Sequence, residues 1–550
     1  MAGTGFAALM LAAVPAHARL TVSLDNPGLA YVTARAAAMS GDHASSAELL
    51  AALSQSRPQD SDLARKALIE ALGAGNMELA LKLAHAVPAD KLPNEARLLV
   101  AAEEIRARRP ERALPWLAVK GENGDLNFLA PLVTSWTAAE RGDLSGALRT
   151  VGAIPANSLL APLRSEQQAL ILLKFKRSAD AEPFARRAIG EAGARETRLR
   201  LALADGFLAA GDRARALIMI EGMEGDASAA RQRVLAGKPS GQAIDTLAEA
   251  YGAVLTAFAA DVARLQRTAP PIGLVQVALY ANPQSSSTAM LLALLLDGQE
   301  RTDEALGLLR AIPADDAMIS HVRDIQARVL SDSKRYNEAY AIAAPAAAER
   351  DASAADYSRL GELYQAMDRH AQAAEAYGKA VDLARASTDN RDLWSLLLLR
   401  ADALEQANRW PEARQALEQA LLLAPEQPLL LNFLGYGKLE RGEDIDAAEA
   451  MIRKASDLAP ENASIVDSLG WAQFKRGKLV DSIATLQKAA QKDPAQAEIH
   501  EHLGDALYTS GRRFEARYAW EAALVTAEDD IAARVKAKLA SGLTSANAAP

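Results

Sequence analysis

The sequence contains no cysteine. This absence excludes disulfide bonds, zinc sites built from thiolates, thiol nucleophiles and lipid attachment through an N-terminal cysteine. Beyond the N-terminal residues, no uncharged apolar run approaches the about 20 residues that a membrane-spanning helix needs. The sequence therefore predicts no transmembrane segment in the mature chain. Aromatic residues are also scarce, at 5% of the chain.

Basic residues are in the minority, with 61 Lys and Arg against 70 Asp and Glu and a formal net charge of −9. Because an acidic surface repels phosphate backbones, we expect no nucleic-acid partner. Half of the residues are apolar and 24% are charged, which is a globular rather than a disordered composition. Alanine and leucine are abundant, and this favours helices that pack closely through small side chains.

The first 18 residues read MAGTGFAALMLAAVPAHA. An apolar run at residues 6–14 precedes Pro15 and an Ala16-His17-Ala18 sequence, a pattern that resembles a secretory signal peptide cut after Ala18. The Lys or Arg that usually precedes such a run is missing, so the alternative is an apolar N-terminus on a cytoplasmic protein. We interpret residues 1–18 as a signal peptide and expect the protein to be exported.

The C-terminal part of the chain repeats itself every 34 residues. One repeat carries the marks Leu469-Gly470, Gly477, Leu486, Ala489 and Pro494, and the next carries Leu503-Gly504, Gly511, Trp520 and Ala523. Such marks predict two antiparallel helices per repeat, with the first glycine at their closest approach and the second at the turn between them. Less regular marks continue backwards to residue 27. We count about fourteen repeats up to residue 530 and expect a capping helix after them.

This spacing resembles the tetratricopeptide repeat, which implies an all-α, right-handed superhelical solenoid of helix-turn-helix repeats. The Gly- and Ser-rich segment 222–241 interrupts the rhythm, and the following helix, over about 243–266, is too long for one repeat arm. We therefore expect a degenerate N-terminal solenoid over residues 19–230 and a C-terminal solenoid over residues 231–545. Residues 546–550 are expected to be a disordered tail.

The sequence contains no complete pattern of catalytic or metal-binding residues. The S-x-x-K pattern from Ser331 to Lys334 falls at a turn between helices and lacks the partner motifs of serine enzymes. His500 and His502 are two residues apart on a predicted helix, so they point to different sides and cannot readily chelate one metal. We expect no enzymatic activity, no cofactor and no metal site.

The resemblance also predicts a binding groove, because the first helix of each repeat lines the concave face in this family. The residues of this chain at the groove positions include Asn432, Tyr436, Asp467, Trp471, Phe474, Glu501, Asp505 and Tyr508, and also the acidic Glu405 and Glu440. Aromatic anchors beside carboxylates are typical of peptide or helix recognition and favour a basic or amide-rich partner. The alternative is that Trp471 and Phe474 pack between repeats.

Residues 431–524 resemble more narrowly the C-terminal block of envelope tetratricopeptide-repeat proteins of Gram-negative bacteria. The shared marks are LNFLGY, DIDAAEAMIRKA, VDSLGWAQFKRG and HEHLGDALYTSGRRFEA. This resemblance implies a periplasmic scaffold, for example an adaptor between a carboxyl-terminal processing protease and cell-wall hydrolases. Many relatives are lipoproteins, but this chain lacks the lipid-accepting cysteine, so we expect it to be soluble or peripherally attached in the periplasm. A structural subunit or spacer of an envelope or secretion complex is the alternative.

Overall fold

The computed structural model describes residues 26–121, 124–221, 223, 228–266, 269–349, 352–386 and 393–549. The predicted signal peptide at residues 1–18 lies outside this range. The chain forms two compact units, Met1–Ile342 and Ala343–Pro550, called the N-terminal unit and the C-terminal unit below. Among the described residues, no helix is both long enough and apolar enough to cross a bilayer.

The N-terminal unit is built almost entirely of helices. Its helices are α1 (Pro27–Met39), α2 (His43–Ser56), α3 (Ser61–Gly73), α4 (Met77–Ala86), α5 (Asn94–Arg106), α6 (Pro110–Ala118), α7 (Ala130–Glu140), α8 (Leu144–Gly152), α9 (Arg164–Lys174), α10 (Ser178–Ala192), α11 (Glu196–Ala209), α12 (Arg213–Ile220), α13 (Ser228–Leu235), α14 (Leu247–Gln266), α15 (Ile272–Ala281), α16 (Ser286–Asp297), α17 (Thr302–Arg310) and α18 (Ile319–Asp332). The next helix, α19 (Tyr336–Ala347), contains the point at which the two units divide.

One short β-ribbon interrupts this helical array. Strands β1 (Lys120–Gly121) and β2 (Gly124–Asp125) pair antiparallel. The buried Arg97 side chain on α5 donates a 3.0 Å hydrogen bond to the Gly124 carbonyl. A buried guanidinium needs such acceptors, because an unpaired buried charge is costly. The ribbon is thereby fixed to the helix layer.

The C-terminal unit consists of regular helical hairpins. Its helices are α20 (Ala354–Ala366), α21 (His370–Ala386), α22 (Leu393–Gln406), α23 (Trp410–Leu423), α24 (Pro428–Glu440), α25 (Ile445–Leu458), α26 (Ala463–Lys475), α27 (Leu479–Lys492), α28 (Ala497–Thr509), α29 (Arg513–Ala523) and α30 (Asp529–Ser541). The partners α20–α21, α22–α23, α24–α25, α26–α27 and α28–α29 pack against each other in sequence. The all-α stack of helical hairpins predicted from the sequence is confirmed.

The turn inside each hairpin carries a residue with positive φ, the left-handed conformation that ends many helices. Thirteen such turns occur in the described residues, close to the about fourteen repeats expected. They are at Gly41, Gly75, Arg108, Gly142, Lys176, Gly211, Glu300, Lys334, Asp368, Asn408, Gly442, Gly477 and Gly511. The turn therefore keeps its geometry even where the sequence offers no glycine.

The glycine at the closest approach of the two helices is required by space. A Cβ atom at Gly470 would lie 2.6 Å from Cγ of Leu486 on the partner helix α27. At Gly504 it would lie 2.3 Å from the Trp520 ring on α29. Both distances are far below van der Waals contact. The role predicted for these two glycines is confirmed.

The long helix α14 does not start a second solenoid. It turns back and packs on the odd-numbered helices of the N-terminal unit, contacting α7 and α5, and α15 then contacts α5 and α3. The fully buried Tyr251 donates a 3.3 Å hydrogen bond to the Leu98 carbonyl. Further along, Gln276 donates a 3.3 Å hydrogen bond to the carbonyl of Gly73. The chain thus covers its own inner helix layer in this unit.

A buried carboxylate anchors the segment that precedes α14. Asp205 on α11 accepts hydrogen bonds from the Ser240 hydroxyl at 2.9 Å and the Gln242 backbone N–H at 3.0 Å. These bonds hold the segment that leads into α14. Because α14 and α15 belong to the N-terminal unit, the expected boundary between residues 230 and 231 does not separate compact units; the units divide between Ile342 and Ala343.

Candidate functional site

The predicted groove residues lie on α24, α26 and α28, the first helices of three successive hairpins. These helices contact each other in order, and α30 then contacts α28. First helices follow one another at this face because each hairpin stacks on the next with the same register. The eight predicted residues therefore lie on three neighbouring first helices of the C-terminal unit, but their surroundings differ.

An open cleft lies around Tyr436, with a volume of about 410 Å³. Its lining residues are Glu405, Phe433, Tyr436, Gly437, Glu440 and Arg441, and we call it the Tyr436 cleft. Tyr436, Phe433 and Glu440 are half-buried. The rings supply an apolar wall, and the carboxylates supply hydrogen-bond acceptors at its rim. Such a surface can hold an extended or helical segment by a single anchoring side chain.

The electrostatic environment of the Tyr436 cleft is acidic. Burial raises the pKa of Tyr436 above its usual range, and the neighbouring carboxylates Glu440, Glu498 and Asp467 raise it further. The hydroxyl therefore stays protonated at physiological pH. Arg441 opposes part of this negative charge, since its guanidinium lies 3.1 Å from Glu405.

Arg441 is already engaged by the protein itself. Its guanidinium lies 4.3 Å from the centroid of the Trp410 ring, in a cation–π contact. It also donates a 3.1 Å hydrogen bond to the Gly437 carbonyl. These contacts hold Arg441 at the edge of the cleft and orient Glu405.

Trp471 is not exposed in the groove. The structure leaves 1% of it accessible, because it lies against rings on both its own helix and the next hairpin. Its ring stacks on Phe474 with centroids 4.7 Å apart and on His502 with centroids 4.1 Å apart. Trp471 therefore packs between repeats, which was the alternative stated for it, and the expectation of an exposed indole is wrong. Phe474 remains half-buried.

Asp467 is buried as well, in an ion pair with the same histidine. Its carboxylate lies 2.9 Å from Nδ1 of the fully buried His502. Burial lowers the pKa of His502, but the charge of Asp467 and its hydrogen bond outweigh this effect and hold the pKa above its usual value. The pair therefore links two neighbouring hairpins.

Glu501 and Asp505 are covered by the last helix. Lys538 of α30 lies 2.7 Å from a carboxylate oxygen of each, and all three side chains are buried. Arg534 adds a 2.8 Å ion pair to Glu501. The expectation that these carboxylates line an open groove is therefore wrong, because α30 occupies the place that the next repeat's first helix would take.

The two carboxylates respond differently to this burial. Burial raises the pKa of Glu501, but its hydrogen bonds and charge interactions with Arg534 and Lys538 together bring it below the usual value. For Asp505, burial dominates and raises the pKa despite Lys538. Two cations, Arg534 and Lys538, act on Glu501, whereas Lys538 alone acts on the more deeply buried Asp505.

The last residues take part in the same cluster. The backbone N–H of Ala549 donates a 3.0 Å hydrogen bond to Asp505, and Asn547 is 8% exposed. The Asn547 side chain donates a 2.9 Å hydrogen bond to the Gly542 carbonyl. Asn547 and Ala549 are therefore buried, which differs from the expectation of a disordered tail at residues 546–550.

Two predicted residues remain at the accessible part of this face. Tyr508 is half-buried, and its ring lies 5.4 Å from that of Trp520. Asn432 is half-buried on α24, and its Oδ1 atom is buried without a hydrogen bond from the described residues. The structure thus brings Tyr436 together with Glu405 and Glu440 in one cleft, with Asn432 on the same helix.

Sequence reasoning missed Phe433 and Arg441 in the Tyr436 cleft. Both lie beside a residue at a predicted groove position, so extending the list by one residue would have found them. It also missed the role of His502, which was considered only as a metal ligand. Within the described residues, no group of three or more His, Asp or Glu side chains is placed to hold a metal ion.

Family models match two stretches of the C-terminal unit. Residues 351–426 match the model described as "Tetratricopeptide repeat", and residues 470–511 match the one described as "TPR repeat". The chain therefore contains tetratricopeptide repeats, as its sequence pattern predicted. Trp471, Glu501 and Asp505 lie in the second stretch. A comparison with curated proteins found no significant match.

Three solved structures with similar folds are distant in sequence. The chain is similar to YrrB, "a TPR protein with an unusual peptide-binding site", with 18% identity over 36% of this chain and 97% of that one and a TM-score of 0.27. The chain is also similar to a tetratricopeptide repeat protein from Parabacteroides merdae, with 13% identity over 46% of this chain and 97% of that one and a TM-score of 0.38. A third similar structure is the APC/C hetero-tetramer Cut9-Hcn1, with 14% identity over 96% of this chain and 97% of that one and a TM-score of 0.37. Scores at this level carry no argument about partners.

Proposed function

We propose that this chain is a non-enzymatic protein-interaction scaffold that binds a protein or peptide segment at the first-helix face of its C-terminal unit. Proteins built from tetratricopeptide repeats generally mediate protein–protein interactions, since a stack of hairpins presents a continuous binding surface. The observation that carries the proposal is the Tyr436 cleft. It combines half-buried aromatic rings with carboxylates at the positions that line the groove of such repeats.

We further propose that the scaffold acts in the bacterial cell envelope, as a periplasmic adaptor for a carboxyl-terminal processing protease or cell-wall hydrolases. Two sequence features support this location and role. The first is the apolar run with its Ala16-His17-Ala18 site within residues 1–18, and the second is the likeness of residues 431–524 to envelope proteins. Without a cysteine for lipid attachment, the exported chain would be soluble or bound peripherally through its partners.

A structural subunit or spacer of an envelope or secretion complex is the second candidate. This candidate is favoured because other helices of the same chain cover much of the first-helix surface. In the N-terminal unit α14 and α15 pack on the odd-numbered helices, and in the C-terminal unit α30 packs on α28. A spacer needs a stiff stack more than an open groove.

Affinity capture from envelope extracts separates the two candidates. The tagged full-length wild type is compared with Tyr436→Ala and with Tyr518→Ala, a control tyrosine that is 60% exposed on α29. A scaffold with its groove at the Tyr436 cleft loses a partner only in Tyr436→Ala. If all three forms recover the same large assembly, the spacer is supported. Recovery of cytoplasmic proteins alone would contradict the envelope location.

A further inference from the structure

Helix α29 presents an aromatic pair to solvent on the last hairpin. Phe514 is 73% exposed and Tyr518 is 60% exposed, and within the described residues they are the only exposed Phe, Tyr or Trp side chains. The two rings lie 5.1 Å apart in an edge-to-face contact, because residues four apart share one side of a helix. Aromatic side chains bury a large area on association and are enriched in interface cores. The pair is therefore a candidate interaction surface.

The uncovered side of α29 continues beyond this pair. Glu521 follows Tyr518 by three residues, so it lies on the same side one turn further along, and it is exposed. Val525 comes directly after the helix and is 81% exposed. The opposite side of α29 packs on α28 around the buried Trp520. The uncovered side thus runs along the whole helix, as a surface for pairing with another helix does.

The uncovered side carries charges of opposite sign on successive turns. Arg517 and Glu521 are both exposed, and neither side chain forms an ion pair with a described residue. Arg517 is held in place by a 2.8 Å hydrogen bond that it donates to the Leu539 carbonyl of α30. Two further charges at the start of the helix are already paired, since Arg512 forms an ion pair with Glu515. The helix therefore offers one positive site before its midpoint and one negative site after it.

This pattern is complementary to itself when two copies of α29 pack antiparallel. In a two-fold dimer the same surface meets itself, so every contact occurs twice. In the register that sets Arg517 of each copy against Glu521 of the other, two equivalent ion pairs form. Phe514 of each copy then lies near Val525 of the other, and the two Tyr518 rings meet close to the axis. A parallel arrangement would place like charges side by side and form no such pairs.

We propose that α29 is a self-association surface through which two copies of this chain form an antiparallel dimer. A second copy is favoured over an anionic partner, because the surface carries both signs and the chain has a net charge of −9. The inference goes beyond the proposed scaffold function, since α29 is a second helix and the Tyr436 cleft lies among first helices. One helix face buries less than the about 1,600 Å² of a standard interface, so the dimer should exchange with monomer at micromolar concentrations.

The association is measured by sedimentation velocity of the full-length protein. Protein concentrations run from about 1 to about 100 μM, the range in which a micromolar dissociation constant changes the dimer fraction. We expect the wild type to shift from monomer to dimer over this range. Added salt should weaken the dimer, because its ion pairs lie at an exposed contact and are screened.

Two charge reversals test the antiparallel register. Arg517→Glu and Glu521→Arg each set like charges opposite each other, so each should raise the dissociation constant at least about tenfold. An equimolar mixture of the two variants should associate as tightly as the wild type, since one copy then offers two anions and the other two cations. An effect within a single helix cannot produce this recovery. Lys488→Glu, at an exposed position of the second helix α27, is the matched control and should dimerise as the wild type does.

The aromatic pair is tested by a separate substitution. Phe514→Ser should raise the dissociation constant at least about tenfold, because a large apolar side chain leaves the contact. Val480→Ser is the matched control, since Val480 is 83% exposed at the equivalent position one repeat earlier, on α27. It should leave the dimer unchanged. Circular dichroism checks that each variant is folded.

Several results would overturn the inference. A wild type that stays monomeric over the whole concentration range would do so, as would a mixture of the two charge reversals that fails to associate. Equal association of the wild type and every variant would place the contact elsewhere on the chain. Binding of monomeric protein to phosphatidylglycerol vesicles that is lost in Phe514→Ser would instead assign this surface to a membrane.

Discussion

Lys538 donates a 2.7 Å hydrogen bond to Glu501, and both side chains are completely buried. The same ammonium reaches Asp505 at 2.7 Å. A buried ion pair is weak evidence of net stabilisation, but removing one partner leaves uncompensated buried charge. Here one cation serves two carboxylates, so the closure of the helix stack by α30 depends on it.

Lys538→Met should destabilise the C-terminal unit by about 3–5 kcal/mol, because Glu501 and Asp505 would lose their shared buried cation. The measurement is the free energy of unfolding from urea titration. Lys536→Met is the matched control, since Lys536 is exposed on the same helix, and it should change stability by less than about 0.5 kcal/mol. Similar losses in both variants would show that the cluster contributes little.

The Asp467–His502 pair should make stability depend on pH. The pKa of His502 is raised above the ordinary 6.5 in the folded protein. Its contribution is therefore fully present below pH 6.5 and is lost as the pH rises through the folded pKa. The expected loss is at most about 1.4 kcal/mol per pH unit.

Urea titrations of the wild type and Asp467→Asn between acidic and alkaline pH test this dependence. Asp467→Asn should lower stability most at acidic pH and abolish the decline. His500→Gln on the same helix is the control and should keep the decline. A wild-type stability that rises with pH while that of Asp467→Asn does not would contradict the assigned sign.

Gly470→Ala should destabilise the C-terminal unit by about 1–3 kcal/mol through overpacking. The added Cβ would meet Leu486 at 2.6 Å, including its backbone nitrogen at 3.2 Å, so the partner helix must shift. Gly378→Ala on α21 is the control, because its Cβ would meet Arg400 only at 3.5 Å. That substitution should be neutral or stabilise by up to about 1 kcal/mol. Thermal unfolding distinguishes them, and equal shifts would mean that the repeat register is wrong.

Asp205→Asn should loosen the segment that leads into α14. The buried carboxylate holds the backbone N–H of Gln242 and the hydroxyl of Ser240, and hydrogen bonds to a charged group are worth about 1.5–3 kcal/mol each. Hydrogen exchange of residues 240–246 should accelerate about tenfold or more. Asp180→Asn, at an exposed position on α10, should leave that exchange unchanged. Unchanged exchange in both would show that α14 is held by its apolar packing alone.

The hairpin geometry could be predicted from the sequence wherever it depends on contacts between residues that are close in the sequence. Gly470 and Gly477 mark a close approach and a turn within one hairpin, and both roles follow from local geometry. Repeats with weaker marks were harder to see because Arg108, Lys176 and Asn408 take positive φ without being glycine. The tertiary packing of each hairpin tolerates that conformational cost, which amounts to about 1–2 kcal/mol.

The candidate site could be predicted only in part from the sequence. Its face followed from the repeat register, because groove positions recur on first helices, and the Tyr436 cleft lies there. Whether a given groove position is open depends on a residue about one repeat away. His502 covers Trp471, and Lys538 covers Glu501 and Asp505. Periodicity does not contain that information.

The sequence by itself determined that this chain folds into tandem helical hairpins, because 34-residue spacing, small residues at helix crossings and turn-forming residues act locally. Only the tertiary structure decided which surfaces of those hairpins stay accessible. Helix α14 returns to the N-terminal layer and α30 covers α28, since buried polar groups such as Asp205 and Glu501 find their partners far along the chain. Among the described residues, those that line the Tyr436 cleft lie on α22, on α24 and at Arg441 directly after α24.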